Sequence, residues 1–153
     1  MRTINNSKFR HSLNCLCNCL NNLYDINNGG CCYVAYLIAY HLDKLNIRYN
    51  LVIYDYIKKD ERKIEYEILN RHIPNSITGI NTCDHYCISI SGDIINKSDS
   101  SYLEKHVIKN VTNKNIKWIY KKGNWNKMYD RNNDKFVRRM INLFFSKYEQ
   151  SDF

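Results

Sequence analysis

Leu13, Leu16, Leu20 and Leu23 recur at spacings of three and four, forming the stripe of an amphipathic helix that is predicted over residues 9–23. The pattern breaks at Asp25-Ile26-Asn27-Asn28-Gly29-Gly30, where Asn and Gly supply positive-φ positions, and a tight loop is expected there. A second stripe, Cys31, Ala35, Ile38, Leu42 and Leu45, predicts a helix over residues 31–46, with Lys44 in its last turn suiting the negative end of the helix dipole. The period then drops to two. Residues 48–57 are rich in Tyr, Val and Ile and read as a strand, buried on both faces where Leu51 to Tyr54 is continuously apolar. Residues 58–62 form a charged turn. Alternation of Ile64, Tyr66 and Ile68 with charged residues predicts a half-buried strand over residues 63–69, a short helix being the competing assignment. Residues 72–84 hold the only proline, Pro74, among Asn, Ser, Thr and Gly, and read as a connecting loop.

A hairpin is predicted over residues 85–96: Tyr86, Ile88 and Ile90 alternate with Cys87 and Ser89, Ser91-Gly92-Asp93 turns the chain, and Ile94-Ile95-Asn96 returns. Residues 102–111 are expected to be helical and residues 116–120 a strand. The broad apolar face of Phe136, Val137, Met140, Ile141, Leu143, Phe144 and Phe145 predicts a closing helix over residues 134–148. This order, two helices, several strands and a last helix, is that of an α+β domain with no internal repeat.

At 153 residues and 44% hydrophobic, the chain is long enough to form one core without staples, so a single domain over residues 1–153 is expected. Seven cysteines make an odd set, and the first ten residues carry no apolar run that could serve as a secretory signal, so a reduced, cytoplasmic setting is expected. The longest unbroken apolar stretch, Cys31 to Tyr40, is about half of the roughly 20 residues that span a bilayer, which excludes a membrane span. Lys and Arg outnumber Asp and Glu by 23 to 15, giving a net charge of +8 that suits nucleic acid or an acidic partner without choosing between them. Heavy use of Asn, Ile, Lys and Tyr fits an AT-rich genome such as that of a phage, a virus or a low-GC bacterium; for a phage protein, host cytoplasm or virion would be the setting.

The loop before the second helix puts thiols at a helix N-terminus. Unpaired N–H groups and the positive end of the dipole favour thiolate there, and the same N–H groups can hold an oxyanion formed on an attacked carbonyl. Cys31 and Cys32 both qualify. Taking Cys31 as zero, Ala35, Ile38 and Leu42 fall at about 40°, 340° and 20°, so Cys31 lies on the packing stripe and Cys32 is turned toward Tyr36, Ala39 and Asp43. Cys31 is preferred, with Cys32 as the alternative nucleophile; as small hydrophobes, both would equally suit a core.

A thiolate nucleophile needs an imidazole, usually distant in sequence, and a group to orient it. Of five histidines, His85 alone opens a strong strand, a rigid place to hold a ring. Antiparallel pairing returns Asn96 to its side. Asp84 and Asp99, which flank the hairpin, could orient the ring instead. Cys15-x-Cys17-x-Cys19 hints at metal, but residues two apart on a helix point about 200° apart, so no metal site is expected. The stretch from Lys114 to Lys127, with Trp118, Tyr120 and Trp125, has the cations and rings of a single-strand nucleic-acid surface, although Trp and Tyr in such a segment more often belong to core and rim.

Gly29-Gly30-Cys31 with Val34-Ala35 and Ile38, followed by the His85 strand, its Gly92 turn and Asn96, resembles the papain-like cysteine peptidase and transglutaminase-like superfamily, especially its small bacterial and phage members. The likeness spans about residues 27–99. It implies a papain-like α+β fold, the nucleophile helix packed on an antiparallel sheet, with Cys31 as nucleophile, His85 as general base and acid, and Asn96 orienting the ring. A side-chain oxyanion donor upstream of the nucleophile would be Asn27 or Asn28, with Asn28 taken for its proximity. A peptide or protein substrate and no cofactor follow, with cysteine peptidase or amidase chemistry ahead of transglutaminase-like acyl transfer. The competing expectation is a basic, non-enzymatic module binding nucleic acid or a protein partner, an inactive papain-like fold included.

Overall fold

The computed structural model describes residues 6–23, 30–55, 85–98, 103–122 and 131–148. Helix α1 spans Ser7–Leu20 and starts at Asn6, whose side chain accepts from the N–H groups of Lys8 and Phe9 at 3.0 and 3.2 Å. Such a cap satisfies two donors the helix itself cannot pair. Its buried residues, Phe9, Leu13, Cys17 and Leu20, extend the predicted leucine stripe by one turn at the N-terminus. Helix α2 spans Cys31–Lys44 and begins at the thiol on which the predicted helix begins.

Four strands follow: β1 (Asn50–Asp55), β2 (His85–Ile90), β3 (Asp93–Ile95) and β4 (Glu104–Ile108). They form one antiparallel sheet in the order β3-β2-β1-β4, with β1 between β2 and β4. Ser91 and Gly92 both take positive φ, 52° and 86°, the geometry that lets a two-residue turn match the strand twist between β2 and β3. Helices α3 (Asn113–Lys122) and α4 (Asp134–Ser146) are the last elements among the described residues, a 3₁₀ turn at Arg131–Asn133 leading into α4. The architecture is α+β.

The two faces of the sheet differ. Leu51, Ile53, Tyr86, Ile88, Ile90, Ile95 and Ile108 join the buried residues of all four helices in one core. Alternate positions, Val52, Tyr54 and Cys87, form a separate buried cluster with Ile94 and Leu103 against it. Both faces of β1 are thus buried, as its continuous apolar run predicts. Helix α2 packs against β2, α3 and α4 together, which explains why it is apolar around most of its circumference. Phe9 meets Phe144, Phe145 and Tyr148 at ring distances of 5.8, 6.0 and 4.9 Å, tying α1 to α4.

Two element assignments are corrected. Residues expected as a helix contain β4, because the edge of β1 offers a ladder and Glu104–Ile108 alternates, with His106 and Ile108 buried and its other positions exposed. The expected strand at residues 116–120 is the centre of α3. Ile116, Ile119 and Tyr120 share spacings of three and four, and all are buried. Thr112 starts this helix: its N–H donates to Asn115 Oδ1 at 2.9 Å, the reciprocal half of a capping box, while Asp43 on α2 accepts from the Asn113 N–H at 3.1 Å. High β-propensity concealed the helical period, and a tertiary carboxylate reinforces the cap. The predicted elements over residues 58–84 lie outside the described residues.

Candidate functional site

Cys31 is the first residue of α2, behind Gly30 at the N-cap, and is 3% exposed. It belongs to the core that α2 shares with β2. Cys32 is also fully buried, and its Sγ donates to the Ile116 carbonyl of α3 at 3.8 Å. The 100° between adjacent helical residues therefore sends one thiol toward α3 and leaves the other on the sheet stripe. Asn28 lies outside the described residues.

His85 opens β2 and is buried; Asn96 follows β3 and is buried as well. The structure brings these two together. His85 Nε2 lies 2.6 Å from the main-chain carbonyl oxygen of Asn96. A carbonyl only accepts, so Nε2 carries the proton and, in the neutral ring, the lone pair belongs to Nδ1. The side-chain amide of Asn96 is used elsewhere: its Oδ1 accepts from Asn21 Nδ2 at 2.9 Å. Asn96 has φ 65°, a left-handed conformation that Asn tolerates better than most residues. The Tyr54 ring, opposite His85 in the ladder, has its centroid 6.1 Å away.

Helix α1 holds this corner through residues that the apolar pattern alone does not single out. Asn14 Oδ1 accepts from the Asn96 N–H at 2.8 Å, Asn21 bonds the Asn96 side chain, and Arg10 Nε meets Asp93 Oδ2 at 2.6 Å. Taking Arg10 as zero, Asn14 and Asn21 fall at about 40° and 20°, a polar stripe beside the leucines. The signal was present in the sequence as a polar row at spacings of four and seven, legible only when polar positions are tested for period as apolar ones are.

The alternation of β2 bears on how thiol and imidazole can meet. Tyr86, Ile88 and Ile90 face the helices, so His85 and Cys87 have the opposite parity. The Cys87 thiol is pushed well above its usual value, first by burial and then by the neighbouring Cys31 and Cys17 thiols, with Lys105 opposing. Cys31 is thus within electrostatic reach of β2 two residues from His85. Burial alone pushes Cys17 up to about 12. Neither Cys17 nor Cys87 is suited to nucleophilic work at neutral pH.

Among the described residues no group of three or more Cys, His, Asp or Glu side chains is arranged to hold a metal ion, and no helix is long and apolar enough to cross a membrane. Cys15 and Cys19 are exposed and Cys17 is buried, the divergence expected for alternate positions on a helix. Asp84 and Asp99 lie outside the described residues, as does Trp125. Trp118 is half-buried against the core. Comparison with protein-family models, with curated proteins and with solved structures returns no match to this chain.

Proposed function

We propose that this chain is a papain-like thiol hydrolase, a peptidase or amidase working by acyl transfer. The observation that carries the reading is the 2.6 Å bond from His85 Nε2 to the Asn96 carbonyl, which holds the ring and assigns its proton. Cys31 gives its proton to Nδ1 of His85, and its thiolate attacks an amide or ester carbonyl. N–H groups in the first turn of α2 hold the oxyanion. Protonated His85 then passes its proton to the leaving group, and water resolves the thioester. The parity of β2 turns His85 away from the helix-facing side, so this mechanism requires thiol and ring to meet at the end of β2, where His85 is the first residue.

The test is stopped-flow hydrolysis of p-nitrophenyl acetate with site-localised iodoacetamide labelling. A burst of one p-nitrophenolate per chain, lost in Cys31→Ala, and Cys31 labelling well below about pH 8 are expected. A burst that survives Cys31→Ala, or slow and uniform labelling of the buried thiols, overturns the reading.

One observation favours a second reading. Lys114, Lys117 and Lys121 are exposed within about 60° of one another on α3, and Lys117 Nζ lies 5.7 Å from the Tyr36 ring centroid. Cations beside rings suit a single-stranded nucleic acid. Binding to an oligonucleotide would then weaken steeply between about 50 and 300 mM salt, and salt-independent binding dismisses it.

A further inference from the structure

Helix α1 carries another thiol beside an imidazole, on its outer face. His11 and Cys15 are four residues apart, hence neighbours on the helix surface. Both are exposed, and Cys15 Sγ lies 3.6 Å from His11 Nε2. Cys19 is an exposed thiol on the same helix but stands two turns from His11, about 12 Å along the axis. Two thiols of like exposure therefore differ in whether an imidazole adjoins them.

His11 also lines a cleft of about 450 Å³ between α1 and the β2–β3 turn, together with Arg10, Asn14, Asp93 and Lys97. Arg10 is paired with Asp93 at 2.6 Å, so these two charges offset each other locally. Lys97, an exposed residue, lines the same cleft and gives it a positive charge. A cleft of this size and sign suits a small anionic molecule bearing carboxylates.

We propose that Cys15 is a modification site for anionic low-molecular-weight disulfides of the glutathione type, with His11 as proton acceptor and the Lys97 side of the cleft receiving a carboxylate. The Cys15 thiol proton passes to His11 Nε2, and the thiolate attacks one sulfur of the disulfide. A new S–S bond forms at Cys15 while the old one breaks. The departing thiolate keeps the bonding electron pair and takes up a proton from the imidazolium or solvent. Cys15 is oxidised and the released half is reduced, so the disulfide is the sole oxidant required. This inference does not depend on Cys31 or on hydrolase activity.

The experiment incubates the full chain at pH 7.5 with glutathione disulfide or with neutral hydroxyethyl disulfide and follows mixed-disulfide formation by fragmentation mass spectrometry. Cys15 is expected to react about tenfold faster than Cys19 with glutathione disulfide. His11→Gln should bring the two thiols to similar rates with both reagents. Lys97→Gln should slow Cys15 with glutathione disulfide only. Both substitutions are on the surface, so circular dichroism should be unchanged. Equal rates at Cys15 and Cys19, a Cys15 rate unmoved by His11→Gln, or equal effects of Lys97→Gln on both reagents would each overturn the proposal.

Discussion

Cys31 and Cys15 are thiols on consecutive helices, set in opposite surroundings. Cys15 stands in the middle of α1, exposed, with an imidazole supplied by its own helix one turn earlier. Cys31 opens α2 inside the core, and the imidazole proposed as its partner comes from a strand that begins 54 residues later in the chain. A helical pair forms wherever its helix forms, and it works in water. A pair built from helix and sheet would require the whole fold, but in return its ring is held by a buried carbonyl at 2.6 Å and its thiol belongs to the first residue of a helix. Local geometry is enough to make a thiol modifiable. Acyl transfer also needs the oriented ring brought to the thiol, which only long-range packing supplies.

The largest expected effect separates the two thiols directly. Cys31→Ala or His85→Ala should lower p-nitrophenyl acetate turnover by about a thousandfold or more, as expected when members of a nucleophile–base unit are removed. Cys15→Ala should change it less than about twofold. A burst lost in Cys15→Ala and kept in Cys31→Ala would reverse the roles of the two helices.

Next comes a pH dependence arising from the buried thiols. The folded protein holds the Cys17 proton up to about 12, whereas the unfolded chain releases it near the ordinary value of 9.0. The native state then binds more protons in that interval, so this contribution is complete below pH 9 and is lost as pH rises toward 12. The unfolding free energy from urea denaturation should fall above pH 9 by about 1.4 kcal/mol per pH unit for this thiol. Cys17→Ala should make that decline shallower, whereas Cys15→Ala, on the exposed face, should leave it unchanged.

The Asn96 corner offers a finer distinction. If the main-chain carbonyl orients His85, Asn96→Asp and Asn96→Gly should retain turnover within about tenfold, because both accept a positive φ and keep that carbonyl. Asn96→Ala should lose roughly 1–2 kcal/mol of stability from left-handed backbone alone, measured by urea denaturation. Equal loss of turnover in the Asp, Gly and Ala variants, at matched stability, would move the orienting role from the carbonyl to the side-chain amide. The smallest effects are expected from Asn14→Ala and Asn21→Ala. Each removes one partly buried bond to Asn96 and should lower stability by about 1 kcal/mol. A larger fall in turnover than in stability would identify α1 as positioning the ring.

Much of the fold can be read along the chain where local period and packing agree. The leucine row of α1, the Cys31 stripe of α2, the apolar face of α4 and the Gly92 hairpin each have a period set by the neighbour they bury against. β4 and α3 could not be read that way. In β4 the deciding partner is the free edge of β1, and in α3 part of the cap is Asp43, 70 residues away in sequence. Propensity within each segment pointed to the other state.

The candidate chemistry divides along the same line. The sequence by itself determined which residues can serve: a thiol at a helix N-terminus, a histidine opening a strand, and an Asn returned beside it by a short hairpin. These follow from spacing, because helix and hairpin geometry are local. Only the tertiary structure decided which atom of Asn96 meets the ring, that Asn14 and Asn21 hold Asn96 in place, and that the Ile116 carbonyl of α3 is the partner of the Cys32 thiol. Those outcomes depend on where buried donors and acceptors find partners. A buried polar group left unpaired costs more than a local preference can offset, so the partner is chosen by the packed whole.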